Sequence, residues 1–278
     1  MVQQESSVGD DYVLGHSAEE YERLRHQAQA LEPATKRIFQ SIGLRAGSSC
    51  LDIGCGPGEV IRLMGEIVGP SGRVTGMDRD TRAGREAINR LQASGTSQYR
   101  LIEADIEDIR DIGGESFDLT FARLALLFTR DPVSVLRKMY SWTKPGGYIV
   151  IQDFHIRTIN IYPKLEAFLE LSGIILGTFE RAGQDVEFAF KLPTYFVEAG
   201  IGAPDGTDMH LPLMPLAPSA VAFGAVCRSV LPKAIEFGIT TDAHIQRVFR
   251  EIQHAFGDGR YYSVLWPLMI GVWKRKPV

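Results

Sequence analysis

An α/β fold built on a largely parallel sheet, with helices on both faces, is predicted from three observations. From residue 49 onward, short apolar runs alternate with segments of helical period. The first such run leads straight into a turn with glycine at every second position. Turn signals then recur at Gly69-Pro70, Gly113-Gly114 and Lys144-Pro145-Gly146-Gly147, each ahead of a further strand. Strands and helices that alternate in this way pair in parallel through crossovers, and both faces are covered.

The elements follow in order. Residues 1–11 read as a disordered lead. Ser17 opens a helix, and Glu20 three residues later completes a capping box. Tyr21, Leu24, Ala28 and Leu31 give that helix one apolar stripe. Pro33 suits the first turn of a second helix ending near Gly43. Strands are expected at 49–53, 73–77, 99–102, 117–122 and 148–152, with helices at 57–68, from Asp80 to about Ala93 where Gly95 closes it, and from Asp131-Pro132 to about Trp142. Beyond residue 155 the alternation stops. Residues 163–183 and 219–256 look helical, 191–199 adds a helix and 207–213 a strand, and 261–274 reads as a long apolar strand bent at Pro267.

Composition is that of a globular protein: 278 residues, 45% hydrophobic and 23% charged, with a formal charge of −4. The longest basic run is Lys274-Arg275-Lys276, so the footprint of a nucleic-acid binder is missing. Cys50, Cys55 and Cys227 match no zinc spacing and no disulfide framework. The first ten residues lack a secretory pattern, and no apolar run approaches the ~18 residues of a membrane span. A soluble, cytoplasmic protein is expected.

Chemistry concentrates in Leu51-Asp52-Ile53-Gly54-Cys55-Gly56-Pro57-Gly58. Glycines let the backbone take φ > 0 and approach a ligand closely. The helix that follows offers unpaired N–H groups and a partial positive charge. In a parallel sheet such a turn lies at the carboxyl ends of the strands, where ligands bind. The dinucleotide fingerprint would need a third glycine at position 59, which is Glu59. A carboxylate beside a pyrophosphate is repelled, so a cofactor without phosphates suits the turn better. A plain glycine turn is the bland alternative.

Asp78 ends the second strand and can accept both hydroxyl hydrogens of a ribose; a solvated or helix-capping aspartate is the alternative. Asp105 could accept from an adenine amino group with Ile106 against the ring, or the pair could be a surface turn.

In this order, Leu51–Gly58, Val74–Asp78, Glu103–Ile106, Phe117–Arg123 and Lys144–Asp153 resemble the class I, S-adenosylmethionine-dependent methyltransferases. Phe117-Asp118-Leu119 followed by Lys144-Pro145-Gly146-Gly147 resembles the small-molecule, ubiquinone/menaquinone-type branch, and the N-terminal stretch resembles its tailoring enzymes of secondary metabolism. The resemblance implies a doubly wound, seven-stranded Rossmann-like sheet of order 3-2-1-4-5-7-6, with the last strand antiparallel and a helical cap. The domains would be lid helices at 12–46, a core at 47–154, cap insertions at 155–186 and 214–258, a core continuation at 187–213 and a final strand at 259–278.

It also implies roles. Asp52, Gly54, Cys55, Gly56 and Gly58 would hold the methionine end of S-adenosyl-L-methionine, Asp78 the ribose, Arg79 the edge of the adenine, and Asp105 and Ile106 the base. Arg123 and Leu124 would lie near the methionine part and the substrate, and Tyr12 and Tyr21 would close over the cofactor. The sulfonium is already a good leaving group, so alignment and exclusion of water are the main demands, with a base for an amine or phenol. His155 and Asp153, at the end of the fifth strand, are the candidate bases; either could instead be structural. His16, His210 and His244 read as structural or solvated.

No metal is expected, because Phe121-Ala122-Arg123-Leu124 stands where metal-dependent relatives carry an acidic ligand. Aromatic residues at 168–196 suggest a hydrophobic or aromatic small-molecule substrate accepting through O, N or C, and a homodimer is a further expectation. Three rivals remain: a nicotinamide-dependent oxidoreductase, a cofactor-binding protein that regulates or steers a rearrangement without methyl transfer, and a methyltransferase acting on RNA or protein.

Overall fold

Apolar residues at strand spacing build the sheet, and β1 (Ser49–Ile53) lies at its middle with four of its five residues buried. In the computed structural model, residues 13–15, 17–93 and 98–278 are described. Tyr12, His16, the lead at 1–11 and the helix-closing Gly95 lie outside them.

β1 pairs in parallel with β2 (Arg73–Asp78) on one side and β4 (Phe117–Arg123) on the other. β3 (Tyr99–Glu103) extends the sheet beside β2, and β5 (Thr143–His155) extends it beside β4. β10 (Leu268–Arg275) runs antiparallel between β5 and β7 (Gly206–His210). The order β3-β2-β1-β4-β5-β10-β7 is the expected 3-2-1-4-5-7-6 sheet with its antiparallel last strand.

The crossovers are α2 (Glu59–Val68), α3 (Thr81–Gln92) and α4 (Pro132–Trp142). Asp80 and Asp131 cap α3 and α4 by accepting the N–H of Ala83 and Ser134. Glycine lets these layers close up. A Cβ at Gly76 would lie 2.4 Å from Ile61, and one at Gly271 would lie 2.2 Å from Ile38.

The N-terminal helices differ from expectation. They form one helix, α1 (Ala18–Ser41), that runs through Pro33. An interior proline costs about 3 kcal/mol of helix stability. Burial offsets it: Leu31, Ala34, Thr35, Ile38 and Phe39 are all at most 5% exposed, and Phe39 packs edge-on against Phe121 of β4. The expected terminal strand also divides, into β9 (Ser263–Leu265) and β10, at Trp266-Pro267. Proline cannot donate to a ladder, and the two halves pair in different sheets.

The chain forms two compact units. One comprises Tyr21–Thr158, Glu187–Pro212 and Pro267–Val278, and holds the seven-stranded sheet together with α6 (Phe188–Glu198). The other comprises the described residues among Met1–Glu20, with Ile159–Val186 and Leu213–Trp266. In it α5 (Glu166–Arg181), α7 (Leu216–Glu236) and α8 (Asp242–Ala255) pack together, beside a three-stranded sheet of β6 (Asn160–Tyr162), β9 and β8 (Leu213–Pro215) that the sequence did not suggest. Its core is aromatic: Phe168 meets Phe223, and Phe223 meets Trp266, each edge-on. Phe168, Ile174, Ile175 and Phe179 are therefore ordinary core. His244 of α8 lies 2.9 Å from Glu170 of α5, in a structural tie. Among the described residues, no helix is long and apolar enough to cross a membrane.

Candidate active site

The site is assembled where β1, β2, β4 and β5 end. β1 stops because Gly54, Gly56 and Gly58 all take positive φ (68°, 47° and 81°), a region closed to most side chains. Met77 fastens the turn to β2: its carbonyl accepts the N–H of Gly54 (2.8 Å) and of Cys55 (3.1 Å). A Cβ at Gly54 would sit 2.5 Å from the Cβ of Ala125, and one at Gly58 2.6 Å from that of Ala87, whereas one at Gly56 meets nothing within 4 Å. The turn is thus packed on its two flanks and open at its apex. Cys55 contributes backbone here; its side chain is buried against Gly76.

Glu59, where a dinucleotide site needs glycine, begins α2 and is paired with Arg62 and Arg90. Asp78 laces the next strand to the turn. Its Oδ2 accepts the N–H of Gly56 (2.7 Å) and its Oδ1 that of Asp80 (2.8 Å). Each carboxylate oxygen keeps a second lone pair for a ligand. Burial raises the Asp78 pKa, and those two N–H bonds oppose it. Tyr21 of α1 reaches the same place: its hydroxyl donates to Asp80 Oδ2 at 2.5 Å. Arg79 lies 3.6 Å from Asp105, and Asp105 also accepts the N–H of Glu107 (2.8 Å). Ile106, next to it, is partly buried. Asp78, Arg79, Asp105 and Ile106 therefore gather along the ends of β2 and β3.

A second polar group lies under the turn. Register places Asp52, Arg123 and Gln152 on one face of the sheet, the face covered by α1. Arg123 donates to Thr35 (3.0 Å), and Thr35 donates to Gln152 Oε1 (2.7 Å). Asp52 Oδ2 and Gln152 Nε2 are buried with no partner among the described residues. An unpaired acceptor, an unpaired donor and a guanidinium together complement a zwitterionic amino acid. Burial pushes the Asp52 carboxyl up to about 8, against the pull of Arg123.

Thr35 and Gln152 were missed in the sequence. Their signals were a hydroxyl within the apolar stripe of α1 and an amide closing the apolar run Tyr148-Ile149-Val150-Ile151.

The ends of β4 and β5 complete the site. Leu124 has φ 55°, the one positive value at a non-glycine among the described residues. Such strain costs of order 1–3 kcal/mol and clusters at functional sites. Asp153 is fully buried, with its oxygens accepting the N–H of Phe154 (2.9 Å) and Leu127 (3.3 Å). Burial pushes its carboxyl up to about 7. His155 is partly exposed and stacks on Phe190 of α6 at 6.0 Å. His210 lies apart, at the end of the edge strand β7.

Residues 44–175 match a family described as a methyltransferase domain. Over these residues the chain carries a class I, S-adenosylmethionine-dependent methyltransferase domain. It is 26% identical over 132 residues to the demethylmenaquinone methyltransferase of Staphylococcus aureus strain JH9, covering 48% of this chain and 54% of that one. It is 32% identical over 133 residues to an uncharacterized 37.1 kDa protein in transposon TN4556 of Streptomyces fradiae, covering 46% and 37%. The matches thus span about half or less of these relatives' lengths. The methyltransferase fold recurs in the crystal structure of a provisionally assigned methyltransferase from Bacillus halodurans C-125, with a TM-score of 0.58, 18% identity and coverage of 87% of this chain and 98% of that one.

The buried acids of the methyltransferase domain set a pH dependence. Asp52 and Asp153 titrate higher when folded than the ~3.9 of a free aspartate, so the folded state holds protons that the unfolded state has lost. Their contribution to stability is full below about pH 4. It is lost as pH rises, through about 7 for Asp153 and about 8 for Asp52. Asp52→Asn, which fixes the uncharged form, is expected to match wild type in urea denaturation only at about pH 4 and below, and to exceed it increasingly as pH rises to about 8.5. Parallel pH curves for the two proteins would contradict this.

Proposed function

We propose that this protein transfers the methyl group of S-adenosylmethionine to an O, N or C nucleophile of a small hydrophobic or aromatic molecule, without a metal. The observation that carries the reading is the pairing of two complementary patches on one strand-end crevice. Asp78, with Arg79, Asp105 and Ile106 along the rim, suits a nucleoside. Asp52 and Arg123, under the glycine turn, suit the amino-acid end. The cofactor supplies a methyl group on a cationic sulfur that leaves readily.

The protein's part is to bind, orient and deprotonate. Gly54, Cys55, Gly56 and Gly58 bring backbone close to the methionine portion, since no Cβ stands at the apex. Asp52 receives the ammonium, which draws its carboxyl back toward ionisation and releases a proton on binding near neutral pH. Leu124, held in its strained conformation by the bond from its N–H to the Gln152 carbonyl (3.0 Å), shapes the wall beside Arg123. Tyr21 braces the ribose end through Asp80. Arg123 at the end of β4 repels a divalent cation, which favours metal-independent chemistry.

His155 is the base for an acidic O–H or a protonated amine, being the imidazole on the rim of β5. Asp153 instead pins the ends of β4 and β5 together, because it is fully buried and accepts the N–H of Phe154 and of Leu127. The exposed ring of Phe190 beside His155 favours an aromatic acceptor. The staphylococcal relative, named for demethylmenaquinone, supports a small-molecule substrate. Lys274, Arg275 and Lys276 are engaged with Asp205 and with backbone carbonyls, so they form no free basic stripe for nucleic acid.

Titration calorimetry with S-adenosylhomocysteine tests the cofactor site, and methyl-labelled cofactor offered to panels of phenols, quinols and amines tests transfer. Absence of binding would remove the proposal. Once an acceptor is found, His155→Ala is expected to lower kcat about 100-fold, within the usual range for a general base, with cofactor Kd unchanged. Full turnover in that variant would clear His155 of the role.

A further inference from the structure

The face of the sheet under α1 contains a polar chain that an apolar core would not need. Thr35 and Gln152 are both fully buried, and Arg123 is partly so. A guanidinium can only donate, so Thr35 Oγ1 must accept from Arg123 at 3.0 Å. The hydroxyl's single hydrogen has two acceptors in reach, Gln152 Oε1 at 2.7 Å and the Leu31 carbonyl at 3.4 Å, and the shorter bond goes to Gln152. Gln152 presents its oxygen to Thr35 and turns its amide nitrogen away, where it has no partner among the described residues. The guanidinium thus fixes the direction of the first bond, and the shorter of the two hydroxyl contacts fixes the second.

Buried polar groups cost free energy, and an unpaired amide nitrogen costs about 1–3 kcal/mol. Filling the space with apolar side chains would be cheaper for stability alone. The arrangement instead leaves two kinds of donor unused: the remaining N–H groups of Arg123 and the Nε2 of Gln152. Both lie on the same face as Asp52, in adjacent register on β4 and β5. A carboxylate is the ligand group that two such donors recognise.

We propose that Thr35 is a positioning residue, and that by fixing Arg123 and Gln152 it sets how tightly the carboxylate of the bound cofactor is held. The inference rests on the cofactor reading above and extends it to α1, a helix outside the strand-end turns. α1 then touches both ends of the crevice, through Tyr21 to Asp80 and through Thr35 to Arg123.

The test compares two ligands by calorimetry: S-adenosylhomocysteine, and its decarboxylated analogue, which lacks only the carboxylate. Thr35→Val keeps the side-chain shape and removes the hydroxyl. It is expected to weaken S-adenosylhomocysteine about tenfold, the worth of one hydrogen bond to a charged group, and to leave the analogue within about twofold. Thr35→Ser is expected to restore wild-type affinity for both. Gln152→Leu should reproduce the ligand-selective loss. Equal weakening of both ligands by Thr35→Val would mark a merely structural role and overturn the inference, as would no change in either. A wild-type protein that binds both ligands equally well would overturn it while leaving the cofactor reading intact. A wild-type protein that binds neither would bring down both.

Discussion

Gly54→Val is expected to eliminate measurable binding of S-adenosylhomocysteine and to destabilise the protein by roughly 3 kcal/mol or more, since overpacking and backbone strain add. Two features make this position unforgiving. Its φ of 68° lies where a β-branched residue is a strong outlier. A Cβ there would also overlap Ala125 at 2.5 Å, and neither side can retreat freely. The Gly54 N–H is bonded to Met77, and Ala125 follows the strained Leu124 on the β4 side. The turn or the end of β4 must move, and the crevice between them is the proposed ligand site. Gly54→Ala should lose less, and adding Ala125→Gly should recover part of that loss by removing the overlap while the φ penalty remains. Urea denaturation and calorimetry on the three variants check the order. Wild-type affinity in Gly54→Val would refute the placement of the cofactor against this turn.

Asp78→Ala is expected to weaken cofactor binding by about 100-fold, or roughly 2–3 kcal/mol, because two effects coincide. The ribose hydroxyls lose their acceptor. The N–H groups of Gly56 and Asp80 lose theirs as well, so the apex of the turn and the start of α3 are no longer held in place. Asp78→Asn keeps one acceptor oxygen and should fall between the two. The comparison can be made by calorimetry, with thermal melts to confirm folding. Unchanged affinity in Asp78→Ala would show that the ribose lies elsewhere.

The core strands and their crossover helices were legible because they depend on local chemistry. β1 was read at its observed bounds, and Asp80 and Asp131 were read as helix starts, since caps, glycines and apolar spacing act over a few residues. The glycine turn and Asp78 were legible for the same reason. Pro33 misled: locally it starts a helix, yet α1 passes through it, because the buried stripe from Leu31 to Phe39 outweighs one lost hydrogen bond. The terminal run also misled, since nothing local shows that its halves belong to different sheets.

Asp153 marks the limit more sharply. As a residue type at a strand end it reads as a base or a structural acid, and only the tertiary structure shows its burial and its bonds from the N–H groups of Leu127 and Phe154. Thr35 and Gln152 are 117 positions apart and meet through a single hydroxyl. By itself the sequence determined the strand–helix alternation, the sheet class and the glycine turn after β1, each written in short-range periodicity and backbone geometry. Only the tertiary structure decided which buried polar groups face one another under that turn, because a hydrogen bond between distant segments leaves no mark on the spacing of either.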